Sequence, residues 1–200
     1  GNFLIKQVVE DLVRELPSLK TYVTLSPVPG FARWLASPDG QAASNGILTD
    51  EEKTAMSLLQ RQRWHARQRA TAAIEPPLMA LAAQYFLGAK SSDGKPVDPV
   101  ARFHLGNGAL LERINFLGDV SPKGLEQAQG LMVNYRYNLK EIEKNHEAFA
   151  NQGNVPASRS VRSLLRVRDN ASGARAEKDD QTQPPLLAIA ADKPRGATPP

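Results

Sequence analysis

The chain has 200 residues, the length of one domain or of one domain with a tail, and 25 Lys and Arg against 21 Asp and Glu give a formal net charge of +4. So small an excess allows an anionic ligand but does not demand nucleic acid. The sequence holds no cysteine, which rules out disulfides, thiolate zinc sites, iron–sulfur clusters and a cysteine nucleophile, and no apolar run approaches the roughly 20 residues that span a bilayer.

Leu4, Ile5, Val8, Val9, Leu12, Val13 and Leu16 recur at helical spacing. They predict a helix over 3–16 with one broad apolar face, stopped by Pro17. A chain whose first residue is Gly1 and which opens directly on such a helix is expected to begin inside a domain. Residues 21–25 are β-branched and aromatic and predict a strand, so the pair reads as an α/β unit. The strand runs into Ser26-Pro27-Val28-Pro29-Gly30-Phe31, where two prolines and a glycine predict a rigid turn with Ser26 at the strand end.

Residues 31–35 predict a short helix and 36–47 a polar loop. Thr49 and Glu52 form a capping-box pattern, predicting a helix from Asp50 to about residue 71, with Met56, Leu59 and Trp64 as buried positions. Pro76-Pro77 is predicted to start a separate helix with Leu78, Leu81, Ala82 and Phe86 on one side. Residues 88–96 read as a surface loop, 97–105 as a short helix ending on Phe103-His104-Leu105, and Gly106-Asn107-Gly108 as a turn. Residues 109–117 predict a strand, with Leu111, Arg113 and Asn115 on one face and Leu110, Ile114 and Phe116 on or near the other. Helix 121–129, strand 131–137 and helix 139–149 complete a domain over 1–150.

From Asn151 onward there are six prolines, scattered charges and no aromatic residue. Such a stretch buries too little apolar surface to offset its ordering entropy, so 151–200 is predicted to be a disordered tail. Within it, Leu186-Leu187-Ala188-Ile189 reads as an incidental apolar patch, with a short docking motif as the alternative.

Three groups of residues carry candidate chemistry. His104 is one of only three histidines and directly precedes a Gly-Asn-Gly turn between apolar elements, where a rigid scaffold presents functional groups. Its near-neutral pKa suits proton transfer, although a lone histidine is commonly structural. Ser26 either ends its strand or partners a histidine. The nucleophile elbow G-x-S-x-G is absent, and Pro27 removes the backbone N–H that an elbow supplies to an oxyanion hole, so a hydrolase triad is disfavoured. The basic run over 61–69, with Trp64 and His65 inside it, suits phosphates or a stacked base, but at helical spacing its charges spread into a solvated face. No His-carboxylate spacing points to a metal.

Four blocks carry a family resemblance. They are the opening Gly1-Asn2-Phe3-Leu4-Ile5-Lys6, Leu25-Ser26-Pro27-Val28-Pro29-Gly30-Phe31, Phe103-His104-Leu105-Gly106-Asn107-Gly108-Ala109, and Gly130-Leu131-Met132-Val133-Asn134-Tyr135-Arg136-Tyr137. In this order and at about this spacing they resemble the malonyl-CoA decarboxylase family, over residues 1 to about 145. The resemblance implies part of a GNAT acetyltransferase-like α/β (α+β) domain, a mixed sheet with flanking helices, with an upstream helical domain of the same protein missing. It implies that Ser26 and His104 are the catalytic serine and histidine and that Tyr137 is an active-site tyrosine. It also implies that Gly1 and Asn2 lie where a helix N-terminus faces the CoA pyrophosphate.

The activity so implied is conversion of malonyl-CoA to acetyl-CoA and carbon dioxide, with His104 as proton donor or thioester polariser, Ser26 as its hydrogen-bonding partner and Tyr137 positioning the malonyl group. The substrate is malonyl-CoA, and no separate cofactor or metal is implied. The resemblance also raises a homo-oligomer as a partner. No membrane or nucleic-acid partner is expected, and a bacterial cytoplasmic location is expected because the visible sequence shows neither cysteine nor targeting signal. The alternatives are a CoA-dependent acyltransferase of the same fold, or a non-catalytic CoA- or nucleic-acid-binding fragment.

Overall fold

Strands β1 (Tyr22–Pro27), β2 (Leu110–Asn115) and β3 (Met132–Tyr137) form an antiparallel sheet in the order β1-β3-β2 in the computed structural model, which describes residues 4–166. The last strand in sequence is therefore the central one. It pairs Tyr22 with Tyr137 and Ser26 with Val133 on one side, and Leu110 with Arg136 on the other. Alternation along β3 buries Val133, Tyr135 and Tyr137, while β1 turns Ser26 inward and leaves Val23 and Leu25 exposed.

β2 departs from the predicted alternation. Its register shifts between Leu111 and Arg113, which inserts an extra residue opposite β3. A bulge re-aims every side chain beyond it, so Leu111 and Ile114 both face the core and the predicted grouping of Leu111 with Arg113 does not hold. An isolated parallel bridge joins Leu111 to Ala157.

Nine helices surround the sheet among the described residues: α1 (Leu4–Glu15), α2 (Phe31–Ala36), α3 (Pro38–Ile47), α4 (Asp50–Met56), α5 (Gln68–Leu87), α6 (Pro99–Gly106), α7 (Pro122–Ala128), α8 (Ile142–Gln152) and α9 (Arg159–Arg162). α1 lies where the sequence predicts it, but of its apolar face only Val9 is buried. Leu4, Val8, Val13 and Leu16 remain exposed, because no described element covers them.

The region predicted as a loop over 36–47 is mostly helix. Ser37 accepts from the Gly40 amide and Pro38 occupies the first turn, a start signal that outweighs the Gly, Ala and Ser content. The capping box of Thr49 and Glu52 forms as predicted. The helix it starts does not reach residue 71. It ends at Met56, passes through 3-10 turns at Ser57–Gln60 and Trp64–Ala66, and is interrupted by Arg63 in the left-handed region at φ 54°.

α5 then runs through Pro76 and Pro77 without a break. An interior proline costs about 3 kcal/mol. Ile74, Leu78, Leu81 and Phe86 are fully buried on this helix, and each contributes roughly 1.5–3 kcal/mol, so packing overrides the local penalty.

The tail predicted from Asn151 is corrected over its first part. Residues 151–166 fold onto the domain. Leu111 N–H donates to the Pro156 carbonyl at 2.8 Å and Ser158 N–H to the Leu111 carbonyl at 2.9 Å. Val155 and Val161 are buried, and Arg166 pairs with Glu52 at 2.6 Å. Backbone pairing to a sheet edge needs no apolar composition, which is why the prediction missed it. Residues 167–200, with the Leu186–Ile189 patch, lie outside the described residues.

Candidate active site

α6 carries His104 in its last turn. Asp98 caps the helix by accepting from the Ala101 amide at 2.8 Å, and Pro99 occupies its first turn. The chain leaves α6 through Gly108 at φ +76°, where the Ile142 carbonyl lies against the position a Cβ would fill. Only glycine combines that backbone with that approach. The helix end is thereby held against the start of α8, and His104 faces the buried side of the sheet.

There the structure brings together three residues far apart in sequence. Ser26 Oγ lies 3.0 Å from His104 Nε2, and Tyr137 Oη lies 2.7 Å from Nδ1. Ser26 is 5%, His104 7% and Tyr137 3% exposed. The chain continues from Ser26 to Thr24, whose Oγ1 accepts from Ser26 Oγ at 3.2 Å. Tyr135 lies flat against the imidazole, with ring centroids 4.3 Å apart and 16° between the planes.

Directions within this chain are linked. With Ser26 donating to Thr24, its hydroxyl has no proton left for His104. Nε2–H then donates to Ser26, and Nδ1 accepts from Tyr137. The opposite histidine tautomer reverses both of its contacts.

Burial lowers the His104 pKa from 6.5 to about 4. Burial also pushes the Tyr137 hydroxyl well above its ordinary value. Both groups are neutral near pH 7. A serine hydrolase needs the reverse: a carboxylate behind the histidine to stabilise the imidazolium as it takes the serine proton. Here the group behind Nδ1 is a neutral tyrosine, and the weakly basic ring is a poor base for Ser26. What the arrangement offers is a preorganised set of neutral hydroxyl and imidazole groups on buried side chains. As donors, such groups stabilise an oxyanion as it develops.

Thr24 and Tyr135 were not singled out by sequence reasoning. Each lies two residues from a predicted site residue on the same strand face, so the period of two was the available signal. Gly1 and Asn2, assigned to the CoA pyrophosphate, lie outside the described residues. The basic run does not form the predicted solvated helical face. It spans an irregular segment and the start of α5, where Arg61, Arg67 and Arg69 line a cavity of about 440 Å³ beside the buried Trp64. No described helix is long and apolar enough to cross a membrane.

Comparison with known proteins gives a consistent family. The family profile described as malonyl-CoA decarboxylase C-terminal domain matches residues 1–175. The mitochondrial malonyl-CoA decarboxylase of Mus musculus is 38% identical over 189 residues, covering 86% of this chain and 38% of its own length. That of Anser anser anser is 37% identical over 182 residues, covering 82% and 36%. Among solved structures, malonyl-CoA decarboxylase from Rhodopseudomonas palustris superimposes with a TM-score of 0.76 at 50% identity, over 83% of this chain and 38% of that one. The Agrobacterium vitis structure gives 0.75 at 54%, over 84% and 41%. The chain thus spans well under half the length of each of these relatives. By the profile match over 1–175, it belongs to the malonyl-CoA decarboxylase family and corresponds to its C-terminal domain.

Proposed function

We propose that the protein of which this chain is part converts malonyl-CoA to acetyl-CoA and carbon dioxide, with Ser26, His104 and Tyr137 as its reacting-site residues. The observation that carries the reading is the neutral, buried His104 held between two hydroxyls with no carboxylate behind it.

In the reaction the bond between the carboxylate carbon and the α-carbon breaks. Its electron pair moves onto the thioester as an enolate, carbon dioxide leaves, and a proton drawn from solvent adds to the α-carbon. The step most in need of help is enolate formation, and hydrogen-bond donors supply that help. A neutral imidazole would have to become an imidazolate to give up its N–H. Between the two roles expected for His104, this favours thioester polariser over proton donor, with the Nε2–H that donates to Ser26 turning to the thioester oxygen when substrate binds. Ser26 orients the ring through Nε2, and Tyr137 holds it through Nδ1 and faces the malonyl group. The reading needs no dissociable cofactor.

The acyltransferase alternative is less well supported. Transfer to an acceptor calls for a general base, and a histidine with a pKa near 4 is a weak one. The GNAT-like fold, an upstream helical domain, a homo-oligomeric assembly and the CoA pyrophosphate at Gly1 and Asn2 belong to the same proposal. So does a bacterial cytoplasmic location.

The test is conversion of malonyl-CoA by the natural full-length protein in heavy water, with no acyl acceptor added. Singly deuterated acetyl-CoA is expected. Turnover only on addition of an acceptor would overturn the reading in favour of acyl transfer. Ser26→Ala is expected to lower kcat by about tenfold, since it frees His104 on one side while leaving Tyr137 on the other. Steady-state kinetics check this, and an unchanged kcat would remove Ser26 from the site.

A further inference from the structure

Beneath the Ser26–His104–Tyr137 chain lies a second polar group that the proposed reaction does not use. Asp98 is wholly buried, and its two carboxylate oxygens have separate tasks. Oδ1 accepts from the Ala101 amide at 2.8 Å, and Oδ2 accepts from Tyr85 Oη at 3.0 Å. Removing a carboxylate from water is costly unless donors replace the water, and these donors belong to two different elements. One is the Ala101 amide in the first turn of α6, three residues before His104. The other is a tyrosine of α5, whose ring contacts Phe31 at 5.5 Å and Trp34 at 5.2 Å between centroids.

The same hydroxyl touches the Ser26 turn. A Cβ built on Gly30 would lie 2.5 Å from Tyr85 Oη and 3.9 Å from Asp98 Oδ2. Glycine at this position lets the backbone rest directly on the pair. Phe31 and Trp34, which hold the tyrosine ring, begin the helix that follows that turn. The Tyr85–Asp98 contact is thus the buried junction between the segment that delivers Ser26 and the helix that delivers His104.

We propose that Tyr85 and Asp98 are positioning residues that set the spacing between Ser26 and His104. A phenylalanine would fill the same space at 85. The hydroxyl, packed against Gly30 and bonded to Asp98, links the turn to the α6 cap. Loss of that link lets the two elements shift independently, and misplacement by about 1 Å costs up to 100-fold in rate.

As it concerns rate, the inference rests on the decarboxylase reading, so its test has two arms, both on the natural full-length protein. In the kinetic arm, Tyr85→Phe and Asp98→Ala are expected to lower kcat for malonyl-CoA about tenfold or more, with KM within about twofold. Asp98→Asn keeps an acceptor for the Ala101 amide and a polar contact for Tyr85, and is expected to retain at least half of kcat. In the second arm, imidazole nitrogen resonances are followed by NMR, with the signals of His65, His104 and His146 assigned by substituting each in turn. Tyr85→Phe is expected to shift the His104 signals and leave those of His65 and His146 in place.

A lowered melting temperature with unchanged kcat and unchanged His104 resonances would overturn the proposal, leaving the pair as core filling. Should Asp98→Ala fail to fold, Tyr85→Phe, which loses a single oxygen, decides the matter alone. A parent protein without decarboxylase activity counts against the proposed function only. The resonance arm then still supports or overturns the positioning role.

Discussion

Replacing His104 with alanine is expected to lower kcat for malonyl-CoA decarboxylation by roughly 100- to 10,000-fold, with KM changed little. The size follows from position. His104 hydrogen-bonds both Ser26 and Tyr137, at 3.0 and 2.7 Å, and its ring stacks on Tyr135. Its hydrogen bond to the developing enolate forms in a buried site, where it is worth more than in water. At 1.36 kcal/mol per tenfold, the loss corresponds to about 3–5 kcal/mol of transition-state stabilisation. Because that interaction strengthens only as the enolate forms, kcat and kcat/KM fall together. Alanine also leaves the Tyr137 hydroxyl without its partner and opens a void. His104→Gln therefore serves as a second variant that keeps polar atoms and volume. A glutamine or alanine enzyme retaining more than a tenth of parental kcat, with circular dichroism unchanged, would remove His104 from the chemistry.

Ser26 and His104 were legible as separate local candidates, and Tyr137 only through the four sequence blocks. Nothing in composition or periodicity joins Ser26 to His104 across 78 positions. Their meeting depends on sheet topology. β3, the last strand, inserts between β1 and β2, so Tyr137 and Ser26 are both carried to the face on which α6 rests. A linear reading orders strands by sequence and cannot supply that insertion. Strand and helix existence was read more successfully than continuity. The capping box at Thr49 and the helix start at Asp98 are local devices and formed as local chemistry dictates.

The errors lie where tertiary contacts outweigh local preference. Arg63 adopts a left-handed backbone that breaks a regular charge pattern. Pro76 and Pro77 stay inside α5 because their neighbours are buried. Residues 156–158 pair with β2 through backbone groups, which composition does not register. Asp98 shows a subtler limit. As an Asp-Pro dipeptide it signals a helix start, but nothing in the sequence distinguishes an exposed cap from one wholly buried against a tyrosine.

The depressed His104 pKa has consequences for activity and for stability. In the free enzyme the ring is neutral from about pH 5 upward. The kcat/KM profile, which reports free-enzyme ionisations, is therefore expected to show no His104 limb between pH 5 and 8 and to fall as pH approaches 4. An acid limb near 6.5 would mean an ordinary, solvated histidine and would contradict the polariser role. Stability follows by linkage. Burial lowers the folded-state value from 6.5 to about 4, so between these limits the unfolded chain binds more protons than the folded one. Folding stability then declines as pH drops below 6.5, and the decline from this group is complete below about 4. At 1.36 kcal/mol per pKa unit the loss is at most about 3 kcal/mol. It is expected as a lower urea midpoint at pH 4.5 than at pH 7. In His104→Gln, which has nothing to protonate at this site, that difference shrinks. An equal pH dependence in the two proteins would place the acid sensitivity elsewhere and return His104 to an ordinary pKa. The same desolvation that keeps the ring neutral for enolate stabilisation is what makes the fold sensitive to acid, so the two measurements test one physical cause.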